Sequence, residues 1–128
     1  FLKDAAYFVK RELDVVKMNE ASKILFEYSN FKCFSRSRTD VHTYNCKITD
    51  ARWIQDGSDL VFHITADRFL RNMVRAIVGT LLEIGLGKME TREMHRILKS
   101  EDRREAGASV PAHGLFLTRI MYPDSIFS

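Results

Sequence analysis

The sequence has few of the residues that cross-link or rigidify small proteins: among 128 residues there are two cysteines, two prolines and one tryptophan. Cys33 and Cys46 are too few for a disulfide framework. Together with His42, the two cysteines could be considered as three metal ligands. A fourth ligand and the short Cys-x-x-Cys spacing of zinc sites are missing, however. We therefore expect no bound metal and two reduced, buried thiols, which favour a cytoplasmic location.

Long apolar runs are also absent. No run approaches the roughly 18–20 residues that a membrane span needs, so no membrane partner is expected. The first residues lack the charged and apolar regions of a signal peptide. The chain begins with Phe1 rather than methionine, so we expect it to be part of a longer protein. Its 45% hydrophobic and 29% charged residues are ordinary for one globular domain.

The positive charge is unevenly distributed along the chain. Residues 31–75 hold eight lysines and arginines against five acidic residues, whereas the two flanking segments are balanced. The whole net charge of +3 therefore lies in the middle of the sequence. Localised positive charge predicts a polyanionic partner such as RNA. Chance unevenness of a few charges is the alternative.

The apolar patterns predict six elements and an α+β fold. A helix over residues 14–29 begins at Asp14, which can cap it, and extended segments follow at residues 31–36 and 42–54. A turn at residues 56–58 leads to a strand from Leu60, which completes an antiparallel hairpin. The remaining elements are helices over 68–85 and 91–99 and a strand over 115–122. The order α-β-β-α-α-β predicts an antiparallel or mixed sheet with helices packed on one face.

The segment from residue 68 to residue 85 is the most informative part of the sequence. At about 3.6 residues per turn, its apolar side chains fall on one broad side of a helix. The opposite side carries Arg68, Arg71, Asn72, Arg75 and Gly79. Clustered guanidinium groups beside a small glycine predict an anion from outside the helix, a carboxylate or a phosphate. A solvated basic face on an ordinary core helix is the alternative.

Three stretches of the sequence resemble motifs of the TruA-type tRNA pseudouridine synthases. Residues 68–79, RFLRNMVRAIVG, are similar to the family's helix motif, which contains MVRxIVG. Residues 31–35, FKCFS, resemble its DFxxF segment. Residues 112–117, AHGLFL, followed by Tyr122 and Pro123, resemble its ending, AxGLYL and then YP. The resemblance covers essentially residues 1–128 as one domain, which would be the C-terminal half of such a protein.

The resemblance implies an enzyme that isomerises uridine to pseudouridine in the anticodon arm of tRNA without a cofactor. Its catalytic aspartate would lie in the N-terminal half of the protein, so this chain alone is expected to be inactive. Arg75 matches the arginine that pairs with that aspartate, and Leu115 matches the leucine that packs near the target base. Family members are usually homodimers, so tRNA, the N-terminal half and a second copy are the expected partners.

The remaining basic residues are candidates for contacts with the RNA backbone, which basic side chains bind irrespective of sequence. We expect this role for Arg68, Arg71 and Asn72 near the start of the predicted helix. Arg36 and Arg38, in the basic middle of the chain, have the same expected role. Lys99, Arg103 and Arg104 alternate with acidic residues, which is typical of a solvated helix face.

Residues 38–42, RTDVH, resemble a shortened copy of the family's catalytic motif, GRTDxGVHA. We do not assign Asp40 as the catalytic residue, because the residues that should separate it from Val41 and His42 are missing. A turn before a strand is the simpler interpretation. Two other classes of function stay open: an RNA-binding module without chemistry, and a protein-interaction or dimerisation domain.

Overall fold

The computed structural model describes residues 2–36 and 43–120. In these residues four strands form one sheet: β1 (Leu2–Val9), β2 (Ile48–Asp56), β3 (Asp59–Ala66) and β4 (Leu115–Ile120). Three α-helices accompany them: α1 (Val15–Ile24), α2 (Met73–Gly85) and α3 (Glu93–Ser100). The strands lie in the order β2-β3-β1-β4, and each neighbouring pair is antiparallel. The predicted α+β class is confirmed.

The predicted element order is wrong at its start, because it omits β1. The observed order is β-α-β-β-α-α-β, and β1 lies between β3 and β4 near the middle of the sheet. Ala5, Tyr7 and Val9 are buried and alternate with more exposed neighbours. This period-2 pattern is that of a strand with one buried face. The sequence-based prediction placed its first element at Asp14 and therefore missed β1.

Two other segments also differ from the prediction. Residues 31–36, expected to be extended, contain a 3-10 turn at Lys32–Phe34. Phe31, Cys33 and Phe34 are all fully buried there, a pattern that a strand with one buried face would not give. The first helix changes at Leu25 into a short 3-10 turn and ends before residue 29. Its predicted start is confirmed, since the Asp14 carboxylate accepts a hydrogen bond from the Lys17 backbone N–H over 3.0 Å.

The hydrophobic core lies between one face of the sheet and the helices. Tyr7, Trp53, Phe62 and Ile64 point into it from the sheet, as their burial and register show. Asn19 of α1 ties this layer to the edge strand β2. Its Oδ1 accepts from Trp53 N over 2.8 Å and its Nδ2 donates to Trp53 O over 3.4 Å. The amide thus satisfies backbone groups that an edge strand leaves unpaired.

The opposite face of the sheet carries exposed apolar side chains. Phe8, Ile54 and Phe116 are all at least 38% exposed, and the Phe8 and Phe116 rings meet edge to face with centroids 5.4 Å apart. The residues of this face alternate with the buried residues of the same strands. No helix in the described part of the chain is long and apolar enough to cross a membrane.

Helix α2 begins five residues later than the periodicity predicts. Asn72, immediately before it, has φ +67°, a left-handed conformation that cannot continue an α-helix. Leu70 in the preceding loop is nevertheless buried, with 3% exposure, so the apolar spacing runs on through residues that are not helical. The pattern alone therefore could not locate the helix start. Asparagine is one of the few residues that adopt this backbone conformation readily.

Candidate functional site

The polar face of α2 is covered by the segment of residues 106–111. Gly107 N donates to Thr80 Oγ1 over 2.9 Å, and a Cβ on Gly79 would overlap the carbonyl oxygen of Ala108. The prediction that Gly79 leaves room for an anion from outside is therefore wrong. The space beside Gly79 is taken by backbone of the same chain. This close approach explains why glycine is needed there.

Arg75 lies at the start of this covered face and is half-buried. Its Nε donates to the carbonyl oxygen of Val110 over 2.7 Å, and its own carbonyl oxygen accepts from Val110 N over 3.1 Å. The first hydrogen bond holds the guanidinium group against the segment, and the second joins the backbones of the two residues. Within residues 2–36 and 43–120, no carboxylate lies within ion-pair distance of Arg75. Its two Nη atoms are thus left for an acceptor outside those residues.

Tyr7 on β1 holds the other end of the same segment. Its hydroxyl donates to the carbonyl oxygen of Pro111 over 2.6 Å, next to the residue that binds Arg75. Its ring fills the space beside Gly114, where a Cβ would lie 2.7 Å from Tyr7 Cζ. Burial raises the pKa of the Tyr7 hydroxyl above its ordinary value, and the nearby charge of Arg75 offsets part of that rise. The hydroxyl therefore stays protonated at neutral pH and acts as a donor.

Leu115 follows directly and belongs to the same site. It is the first residue of β4 and pairs in register with Tyr7. Directly opposed residues of neighbouring strands share a face, so Leu115 lies beside the tyrosine ring. Leu115 is half-buried, and Leu117, two residues further along the same face, is 61% exposed. Tyr7 therefore links the two residues that the sequence predicted as catalytic, Arg75 and Leu115.

The predicted RNA contacts have different environments. Arg68 is half-buried, and its Nη1 donates to the carbonyl oxygens of Thr43, over 3.0 Å, and Asn45, over 3.5 Å. Arg71 and Arg36 are exposed, and their segments are joined by a hydrogen bond from Arg36 N to Arg71 O over 3.1 Å. None of these three residues is in α2, so they do not form the helix face that the periodicity predicted.

Asn72 and Ser109 connect the start of α2 to the covering segment. Asn72 Nδ2 donates to Ser109 Oγ over 2.5 Å, and Arg103 Nη2 donates to the same oxygen over 3.0 Å. Asn72 is thus part of the structure that holds the segment against α2. Arg38, Asp40 and His42 lie outside the described residues.

Sequence reasoning missed Tyr7 and Val110, the two residues that position Arg75 and Leu115. Val110 binds Arg75 through its backbone, so the identity of its side chain could not indicate this contact. Tyr7 lies in the strand that the prediction omitted. Its signal was the alternation of Ala5, Tyr7 and Val9.

In the enzyme that the motifs predict, Tyr7→Phe is expected to lower turnover several-fold, because the Pro111 carbonyl loses its donor while the ring still packs on Gly114. Loss of one hydrogen bond should also reduce the free energy of unfolding by about 1 kcal/mol. Tyr28→Phe is the matched control, since its hydroxyl bonds His95 Nδ1 over 2.7 Å at α3. Initial rates and thermal unfolding of both variants are the measurements. Equal turnover in the two variants would show that Tyr7 does not position the site.

Both cysteines are buried and free. Burial raises the pKa of Cys33 to about 12 and that of Cys46 to about 11. Because these values exceed the ordinary value of 9, the thiols stay neutral at pH 7, and the fold loses stability as the pH rises above about 9. In the part of the chain that the structure describes, no group of three or more potential ligand residues could hold a metal ion.

We expect both thiols to resist alkylation by iodoacetamide at pH 8 in the folded protein, because thiolate is the reactive form. In denaturant both should react within the time of an ordinary labelling experiment. Mass spectrometry counts the modified residues. Rapid labelling of Cys33 or Cys46 in the native state would contradict the burial of that thiol.

The fold and the site define a class of protein: an α+β domain that fixes a half-buried arginine near the start of a helix and places two leucines on the strand β4. Comparison with known proteins identifies the class more closely. A family model described as tRNA pseudouridine synthase matches residues 25–123. The chain therefore belongs to the tRNA pseudouridine synthase family, as its motifs predicted.

Individual relatives support the same assignment. The chain is 50% identical over 127 residues to the tRNA pseudouridine synthase A of Parabacteroides distasonis, covering 99% of this chain and 50% of the relative. It is 52% identical over 119 residues to the enzyme of that name from Porphyromonas gingivalis, covering 91% and 47%. With the counterpart from Anoxybacillus flavithermus the identity is 37% over 124 residues, covering 97% and 50%. The chain thus spans about half the length of the curated relatives that it matches.

Proposed function

We propose that this chain is the C-terminal half of an enzyme that isomerises uridine to pseudouridine in the anticodon arm of tRNA. Its membership of the tRNA pseudouridine synthase family and its match to half of each relative support this assignment. The reaction breaks the bond between N1 of the base and C1′ of the ribose and forms a bond from C5 to C1′. The hydrogen on C5 leaves as a proton and N1 gains one, so no oxidant, reductant or cofactor is required.

The observation that supports this function best is the fixed, half-buried Arg75 without a carboxylate partner among the described residues. A partly desolvated guanidinium is costly unless an anion compensates it. In the proposed enzyme the compensating anion is the catalytic aspartate of the N-terminal half. Arg75 would keep that carboxylate ionised and oriented, since a nearby positive charge lowers the pKa of a carboxylic acid.

Leu115 completes the proposed site as an apolar contact for the target base. It lies beside Tyr7, which also anchors the segment that positions Arg75. An apolar side chain against a base excludes water and packs without demanding a particular hydrogen-bond pattern. The exposed neighbour Leu117 extends this apolar surface along β4. The contacts of Tyr7 with both places support the proposal that Arg75 and Leu115 act in one site.

The RNA contacts and the remaining partners belong to the same proposal. Arg71 and Arg36, exposed in adjoining segments, would bind backbone phosphates, and we propose the same role for Arg38 from its place in the basic middle of the sequence. For Arg68 and Asn72, contact with RNA would come in addition to the hydrogen bonds that they already make. A homodimer in the cytoplasm is part of the proposal. The exposed apolar residues Phe8 and Phe116 support a homodimer, because such side chains are suited to an interface. The free thiols of the two cysteines support a location in the reducing cytoplasm.

The test is release of tritium from tRNA labelled at C5 of uridine. The full-length protein should release tritium as pseudouridine forms, whereas this 128-residue chain alone should release none. Release by the chain alone would place a catalytic carboxylate within it, and Asp40 would become the leading candidate. If neither released tritium although both bound tRNA, the RNA-binding module would replace the enzyme as the proposed function.

A further inference from the structure

A groove outside the Arg75 site is formed by two segments that are distant in sequence. It has a volume of about 740 Å³. The 3-10 turn at Lys32–Phe34 and the residues after it form one wall, which carries Lys32 and Arg36. The loop that follows α3 forms the other wall, which carries Arg103 and Arg104. Folding therefore brings together two pairs of basic residues that are about 70 positions apart in the chain.

The cations of the second wall are held in place by the protein itself. Arg103 Nη1 donates to the carbonyl oxygen of Gly107 over 2.9 Å, and its Nη2 donates to Ser109 Oγ over 3.0 Å. Arg104 donates to both carboxylate oxygens of Asp102, with Nε 3.1 Å from Oδ1 and Nη2 2.9 Å from Oδ2. A guanidinium that is already oriented loses little conformational entropy when it binds an anion.

The cations of the first wall are less constrained than those of the second. In the described part of the chain neither Lys32 nor Arg36 forms an ion pair, and both are exposed. Lys32 Nζ lies 5.5 Å from the centroid of the Tyr44 ring, which also lines the groove and restrains the ammonium group. Among the described residues that line the groove, four are cationic and two, Asp102 and Glu101, are acidic, which leaves an excess of positive charge.

We propose that this groove binds backbone phosphates of the tRNA, as a second contact beyond the catalytic site. The proposal rests on the function proposed above and identifies where the RNA continues over this domain. Positive charge from two walls of an open groove suits a polyanion that runs through it. The alternation of Arg103 and Arg104 with acidic residues predicted a solvated helix face. In this proposal both residues instead line an RNA-binding groove.

The groove is physically joined to the Arg75 site. Arg103, on its wall, donates to Ser109, and the next residue, Val110, binds Arg75. At its other wall, Arg36 N is bonded to the carbonyl oxygen of Arg71, four residues before Arg75. The groove and the Arg75 site therefore belong to one hydrogen-bonded part of the fold, so one RNA strand would reach both.

The experiment measures binding of unmodified tRNA by the full-length protein over a series of salt concentrations. In the double variant Lys32→Ala/Arg36→Ala we expect Kd to rise about tenfold near physiological salt. The slope of log Kd against log salt should become shallower by about one for each lost phosphate contact. KM for tRNA should rise in parallel. The matched control is Lys23→Ala/Lys88→Ala, which removes two exposed lysines outside the groove and should change Kd less than twofold.

The outcomes separate this proposal from the proposed function. Wild-type affinity and salt slope in the double variant would overturn the groove, as would an equal loss in the control. A loss of affinity with an unchanged salt slope would also overturn it, because phosphate contacts must alter the slope. The variant Lys32→Arg/Arg36→Lys should keep near wild-type affinity. A wild-type protein that makes no pseudouridine, yet shows the expected loss on substitution, would refute the enzyme and support the groove.

Discussion

Arg75→Ala in the full-length protein is expected to lower kcat for pseudouridine formation by about 10²- to 10³-fold, with a much smaller change in tRNA affinity. The reason is that Arg75 would act on the catalytic carboxylate rather than on the bulk of the RNA. Without the guanidinium, the proposed catalytic aspartate would lose its ion pair and its fixed orientation. Single-turnover rates and Kd, measured on the same preparations, separate the two effects.

Two further variants refine the Arg75 prediction. Arg75→Lys keeps the charge but loses the planar fork that serves Val110 and an external anion together, so it should recover only part of the rate. Arg92→Ala removes an exposed arginine paired with Glu90 and should leave kcat unchanged. Thermal unfolding shows whether the lost bond to Val110 harms the fold. Turnover of Arg75→Ala within a few-fold of wild type would refute the role assigned to Arg75.

Gly79→Ala is expected to lower the free energy of unfolding by about 2–3 kcal/mol, because the added methyl group would overlap the Ala108 carbonyl. In an exposed helix the same substitution would stabilise the protein by about 1 kcal/mol, so the sign of the effect is diagnostic. Displacement of residues 106–111 would also move Val110, and activity should fall with stability. Denaturant unfolding and initial rates are the measurements.

The control for Gly79 is Gly57→Ala. Gly57 has φ +62°, and nothing lies within 4 Å of the Cβ that the substitution would add. Alanine there should cost only the strain of a left-handed backbone, about 1–2 kcal/mol, and should leave turnover unchanged. A Gly79→Ala protein more stable than wild type would show that the segment does not press on α2.

Motifs and periodicity predicted the family and the α+β class without a structure. The family follows from three short stretches, and the family model confirms it. Arg75 and Leu115, chosen from those motifs, are connected in the fold through Tyr7. The start of α2 could not be predicted, because the buried Leu70 continues the apolar spacing through a loop. Only the left-handed backbone conformation of Asn72 separates this loop from the helix that begins at Met73.

What the sequence determined by itself is which residues are buried in the core and which family the chain belongs to. Apolar spacing is a local property, so it specifies the buried side of α2 and the inward residues of β3. The tertiary structure alone decided what covers the polar side of α2 and what holds Arg75. Val110 lies 35 residues from Arg75 in the chain, and Tyr7 lies 104 residues from Pro111. Contacts over such separations depend on the path of the whole chain, because local patterning carries no information about which distant backbone carbonyl will meet a given side chain.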